Sequence, residues 1–380
     1  MKLKQVLMVA LAAGMVFAAA CAGLLLYANH LNHRYDRLAD THDLKDRIEK
    51  LGAKYIGKRP NVGLVIAVYQ HGRRYIRGFG KVSDTRPNPP DAQTLFEIGS
   101  ITKVFTAVVL AKLVDRNLVK LEDPISLFLP RGVSSPQKNG REITLLDLAT
   151  HTSGLPRLPG NLFATMKDAQ NPYANYVATN LYADLAQEKL ASEPGKKSSY
   201  SNYGFGLLGH LLELKTGERY GALVKETICA PLGMSNTTIE LSAGQKEHFA
   251  QGHSSKGQPV PPWDLGVLAG CGAIRSTAED MLKFAEANLA ETNSAVSKIL
   301  AETQKVRFKD WMRGIGLGWQ IEVLDDPVWF WHNGGTGGCR SFIGLNKAGQ
   351  IGVVVLASAE DDVDSMATDI LKSASKISLE

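Results

Sequence analysis

Cysteine is scarce: four residues in a chain of 380, of which Cys229, Cys271 and Cys339 fall in the body. An odd number at wide spacing excludes a disulfide framework and leaves room for one pair at most. No C-x-x-C and no H-E-x-x-H occurs, and the nine histidines show no ligand spacing, so neither a metal nor another cofactor is implied. Charge of one sign is also lacking, because 43 Lys and Arg stand against 38 Asp and Glu and the basic residues are dispersed. Nucleic acid is therefore not an expected partner. No Gly/Ser linker and no charge block divides the chain, and 44% hydrophobic residues suffice for one large core.

What is present begins with the N-terminus. Lys2 and Lys4 precede an uncharged run from Gln5 to Asn29, with Ala18-Ala19-Ala20 inside it and Arg34 and Arg37 after it. A basic start, an apolar stretch and a small-residue triplet predict a secretory signal peptide over residues 1–30. Leu24-Leu25-Leu26 lengthen the run enough for an uncleaved membrane anchor. On either reading the body is exported, to the periplasm or the outer face of the cytoplasmic membrane.

The body is organised around FEIGSITKVFTAVVLAKLVDRNLVK, Phe96 to Lys120. Read as a helix, its apolar residues cluster on one side, and Ser100 and Lys103 lie one turn apart on a common face. An amine so placed can tune the serine hydroxyl, and the helix start favours a developing oxyanion. S-x-x-K recurs at Ser135 and Ser373, but the first lies in a polar surface loop and the second leaves no chain for partners. A nucleophile needs a base and orienting groups, and Tyr200-Ser201-Asn202 offers both, on a loop after Pro194-Gly195 and before an apolar helix. Tyr173 heads a competing Y-x-N, within a stretch whose periodicity reads as an ordinary helix. A third element, WFWHNGGTGG from Trp329, runs aromatics into glycines, where a ligand or another backbone can come close. The N–H of Gly335 could join that of Ser100 as an oxyanion hole, and His332 could carry charge or a proton. His151 reads as a structural hydrogen-bonding residue near the cleft, and Cys339 as a small buried one.

Strand-like runs occupy both ends of the body, 62–80 and 316–358, with helical patterns between them. The expected fold is α+β: a mostly antiparallel sheet built from both chain ends, flanked by helices and carrying an inserted all-helical lobe. The body should span 40–376, with an α/β lobe from about 40–99 and 270–376 and a helical lobe over about 110–265.

The ordered set SITK, YSN and HNG, together with ITLLDLATHTSGLP (143–156) and PLGM (231–234), resembles the serine β-lactamase and penicillin-binding protein superfamily. The nearest branch is that of class C β-lactamases and related D-Ala-D-Ala peptidases and esterases. The resemblance implies Ser100 as acylated nucleophile, Lys103 as its proton partner and Tyr200 as base and leaving-group acid. It implies Asn202, His332, Asn333 and Gly334 as substrate contacts. His332 stands where class C β-lactamases have lysine and Asn333 where they have threonine, which points toward carboxypeptidase, aminopeptidase and esterase relatives. No E-x-x-L-N segment provides a class A deacylating glutamate. The expected substrate is a peptidoglycan peptide ending in D-Ala-D-Ala, a β-lactam, or an ester on the same scaffold. A non-catalytic envelope binding protein would have no need of Ser100, Lys103 and Tyr200 together.

Overall fold

The computed structural model describes residues 43–379, so the expected export segment and Cys21 lie outside the described residues. Helix α1 (Leu44–Ile56) starts on Asp43, whose carboxylate accepts the Lys45 N–H, and it buries Leu44, Ile48, Leu51 and Tyr55. Strands β1 (Gly63–Gln70) and β2 (Arg73–Gly80) form a hairpin that turns at His71 and Gly72, both at positive φ. The short strand β3 (Leu95–Glu97) leads through a 3₁₀ turn at Gly99–Ile101 into α2 (Thr102–Asp115).

Between residues 116 and 271 short helices dominate, with α3 (Asn202–Thr216) the longest of them. Strand β4 (Arg275–Thr277) pairs with β3, and Thr277 then caps α4 (Ala278–Leu289) by accepting the Asp280 N–H. The chain ends in β5 (Phe308–Lys309), β6 (Gly314–Ile315), β7 (Gln320–Glu322), β8 (Trp329–Gly335), β9 (Arg340–Asn346), β10 (Ile351–Ala357) and α5 (Asp364–Ala374). These strands and the first hairpin form an eight-stranded sheet in the order β2-β1-β10-β9-β8-β7-β6-β5, with every neighbour antiparallel. The expected sheet from both chain ends is thus observed, joined where Ile66 faces Val355.

The sheet is covered on both faces, which is why β1 and β10 read as unbroken apolar runs. Leu64, Ile66, Val68, Phe342 and Val355 pack with α1 and α5 on one face. Val65, Ala67, Ile343, Val354 and Leu356 join α2, α3 and α4 on the other. Trp329 and Trp331 belong to the α5 face, where Trp331 stacks on Phe342.

Three local expectations differ. Helix α2 is buried from Thr102 to Ala111 on every side, because a helix apolar all round belongs inside a core rather than at its edge. The strand expected over 316–323 is broken at Gly318, whose φ of 73° and closeness to the Lys103 carbonyl leave no room for a side chain. Around Ser135, Gln137–Lys138 and Arg141–Glu142 form a two-stranded ribbon where a plain loop was expected. Among the described residues the three cysteines are buried and free. No described helix is long and apolar enough to cross a membrane.

Candidate active site

Ser100 stands in the 3₁₀ turn, half-buried, ahead of α2. Gly99 before it has φ 48°, and a β-carbon there would come within 2.6 Å of the Gly335 nitrogen. The serine turn and the end of β8 are therefore in backbone contact, which glycine at 99 permits. One turn on, Lys103 is fully buried, and its ammonium donates to Ser100 Oγ at 2.9 Å, Asn202 Oδ1 at 2.8 Å and the Cys271 carbonyl at 2.7 Å. Three donors meet three acceptors, so the amine is fixed in a position on the hydroxyl.

Asn202 reaches Lys103 because Ser201 caps α3. The Ser201 hydroxyl accepts the Gly204 N–H at 2.8 Å and donates to the Pro156 carbonyl at 2.6 Å. The Arg157 carbonyl takes the N–H of Asn202 and of Tyr203. Tyr200, half-buried, lies between two cations: Lys103 Nζ is 4.8 Å and Arg157 Cζ 5.1 Å from its ring centre. Tyr173 sits in a turn rather than the expected helix, which begins only at Ala178. Its phenol is buried, and burial pushes its pKa up to about 12. Tyr173 is thus a neutral wall of the site, while Tyr200 is the phenol beside Lys103.

Strand alternation sorts the third motif. His332 points toward α2, 1% exposed, with Nδ1 donating to the Asn333 carbonyl at 2.6 Å. Nε2 then carries the lone pair and has no partner. Burial, and secondarily Lys103, lowers the His332 pKa to about 3, so the ring presents an acceptor and no charge at neutral pH. Its ring centre is 6.2 Å from that of Tyr200. Asn333 corrects the expectation: its side chain lies on the opposite sheet face, donating to Asp364 of α5, because neighbours on a strand point to opposite faces. Gly334 lies against Ile98, where a β-carbon would stand 2.0 Å from the carbonyl oxygen. Gly335 is exposed at the serine turn.

Other contributors went unnoticed in the sequence. The Cys271 carbonyl holds Lys103 although its thiol takes no part, and no residue pattern announces a main-chain acceptor. Glu97, inside FEIGS, is buried and accepts from Trp263 N and Thr336 Oγ1, both at 2.8 Å, with Arg275 3.6 Å away. It ties β3 to the end of β8 behind the serine, and burial raises its pKa. A cavity of about 710 Å³ bounded by Arg219, Tyr220, Thr238 and Arg275 is lined by none of the predicted site residues.

The chain and its fold have counterparts among known proteins. The chain is 29% identical over 313 residues to the D-alanyl-D-alanine-carboxypeptidase/endopeptidase AmpH of Escherichia coli K12, covering 78% of this chain and 79% of that one. A β-lactamase of the same organism is 26% identical over 358 residues, covering 84% and 90%. Among solved structures, a β-lactamase/D-alanine carboxypeptidase from Yersinia pestis superposes with TM-score 0.73 at 27% identity, covering 86% of this chain and 99% of that one. A class C β-lactamase gives TM-score 0.75 at 26% identity, covering 87% and 96%. The β-lactamase family profile matches residues 45–375, the whole sheet and the helices that carry Ser100, Lys103 and Asn202 included, and on that span the chain belongs to the β-lactamase family.

Proposed function

We propose that this protein is an exported serine hydrolase that forms an acyl-enzyme on Ser100, acting on D-Ala-D-Ala-type peptides or β-lactams. The observation that carries the reading is the Lys103 ammonium, bridging Ser100 Oγ and Asn202 Oδ1 with the Tyr200 ring beside it. Ser100 Oγ attacks the carbonyl carbon, and its proton passes to the oxygen of Tyr200, which serves as phenolate base beside the charged Lys103. The N–H groups of Ser100 and Gly335 receive the oxyanion. Collapse breaks the carbon–nitrogen bond, Tyr200 protonates the leaving amine, and water then hydrolyses the acyl ester. Asn202 gives its oxygen to Lys103, which turns its amide N–H groups to the substrate amide carbonyl. The cleft lies between an α/β lobe (about 40–99 and 270–376) and a helical lobe (about 110–265). Export rests on the sequence of residues 1–30, whether cleaved or kept as an anchor.

His332 favours a second reading, an esterase on the same scaffold. A buried neutral imidazole offers no charge to a substrate carboxylate, so simple esters need not bind worse than acids. Mass spectrometry of the intact protein after incubation with a penicillin tests the main reading. An adduct of the whole drug is expected on wild type and not on Ser100→Ala. Turnover of p-nitrophenyl esters with no penicillin adduct would decide for the esterase, and reactivity that survives Ser100→Ala would end both.

A further inference from the structure

His151 follows the short helix Leu145–Ala149 with φ 59°, a left-handed conformation uncommon for any residue but glycine. Such a conformation persists where several bonds over-determine it. Here its carbonyl accepts the Ser199 N–H at 2.8 Å and its Nδ1 accepts the Ser201 N–H at 3.1 Å. Those two residues flank Tyr200 on either side. The imidazole is 2% exposed, and its ring centre lies 4.5 Å from that of Tyr200 and 4.9 Å from that of Phe205. Neighbouring pairs extend the clasp, since Thr152 O takes the Gly195 N–H and Gly154 O the Ala191 N–H.

Accepting at Nδ1 puts the proton on Nε2, which has no protein partner. Burial, followed by Lys103, His332 and Arg157, holds the His151 pKa well below the ordinary histidine range. The ring therefore stays an acceptor toward Ser201. Protonating Nδ1 would break that bond.

We propose that His151 is a positioning residue of the acyl-transfer site, clasping the main chain on both sides of Tyr200 so that the phenol meets Lys103 in one orientation. The proposal rests on the serine-hydrolase reading for its consequence and on the two hydrogen bonds for its geometry. Two substitutions separate ring from backbone. His151→Gly keeps the left-handed turn and the carbonyl on Ser199, and removes the acceptor and the stacked ring. His151→Asn tolerates the same φ and offers Oδ1 where Nδ1 stood.

The full chain is followed by hydrogen–deuterium exchange over residues 197–203 and by two reactions, labelling with a fluorescent penicillin and p-nitrophenyl acetate turnover, with Ser100→Ala as blank. In the glycine variant the Ser201 amide exchanges faster, and acylation or kcat falls about 10- to 100-fold with KM within about 2-fold, the mark of a misplaced reacting group. The asparagine variant recovers protection and comes within about 5-fold of wild type. Unchanged Ser201 exchange in the glycine variant overturns the clasp, as does an equal loss of rate in both variants. If wild type shows no Ser100-dependent reaction with either probe, the hydrolase reading fails and the exchange measurement still decides the clasp.

Discussion

His332 shows what one side chain does to the character of the cleft. Its folded pKa of about 3 lies below the ordinary histidine value of about 6.5, because a buried imidazole beside Lys103 resists a second charge. Between those values the unfolded chain binds a proton that the folded chain refuses, so stability falls as pH drops below about 6.5. The group alone should cost about 2–3 kcal/mol on going from pH 7 to pH 4.5. His151 acts with the same sign, while Asp364, raised to about 6 by burial, acts with the opposite one. A comparison between variants isolates the His332 share. Urea unfolding of His332→Asn at the two pH values should show an acid loss smaller than that of wild type by about that amount. Equal losses would mean that the imidazole titrates normally. The serine, the lysine and the YSN loop were legible at this scale, since each carries a chemical group at a diagnostic spacing. The Cys271 carbonyl and the Asn333 orientation were not, the first because a main-chain acceptor leaves no mark in the sequence. The second was within reach: once His332 faces the serine, a strand sends Asn333 the other way.

Elements were legible where local signals agree and misread where a distant partner decides. Thr277 followed by Asp280 is a helix-start signal, and the Thr277 hydroxyl accepts the Asp280 N–H. Apolar spacing puts Tyr173 in a helix, and it cannot report that the Asn171 side chain accepts the Asp264 N–H next to the turn observed there. Helix α2 was read as one-sided, although apolar and small residues on all faces were already visible in TKVFTAVVLAKLV. The meeting of the serine turn with β8 has the sharpest consequence here. Gly334 presses on the Ile98 carbonyl and on Ser341 Oγ, and neither Ile98 nor β8 can retreat without moving Ser100. Gly334→Ala should destabilise by upwards of about 2 kcal/mol and slow acylation in whatever protein stays folded. Gly257, at φ 72° but with open space around it, is the control: alanine there meets only backbone strain. Thermal melts together with penicillin labelling of both variants test the difference. Acylation unimpaired in folded Gly334→Ala would separate β8 from the serine turn.

Across the whole molecule the two chain ends close one sheet, and the helix that each contributes packs against the other on the face away from Ser100. Arg47 of α1 meets Asp369 of α5 with Nη2 at 2.6 Å from Oδ1 and Nε at 3.2 Å from Oδ2, both side chains under a tenth exposed. A buried, two-point ion pair of this kind need not add stability over an apolar pair of the same shape, because desolvation offsets the attraction. Removing one partner is different, since it withdraws a carboxylate that meets the buried guanidinium at two points. Asp369→Ala should therefore cost about 3–5 kcal/mol, and Arg47→Met combined with Asp369→Leu should recover much of it. Neither change touches the α2 face of the sheet. Below its melting temperature the single variant should acylate with the wild-type rate constant, and only the folded fraction should fall with denaturant. Urea titrations followed by intrinsic fluorescence and by penicillin labelling give the two quantities separately. A reduced rate constant in fully folded Asp369→Ala would show that the α1–α5 layer controls the geometry around Ser100 through the sheet, and that the two faces of the molecule are one mechanical unit.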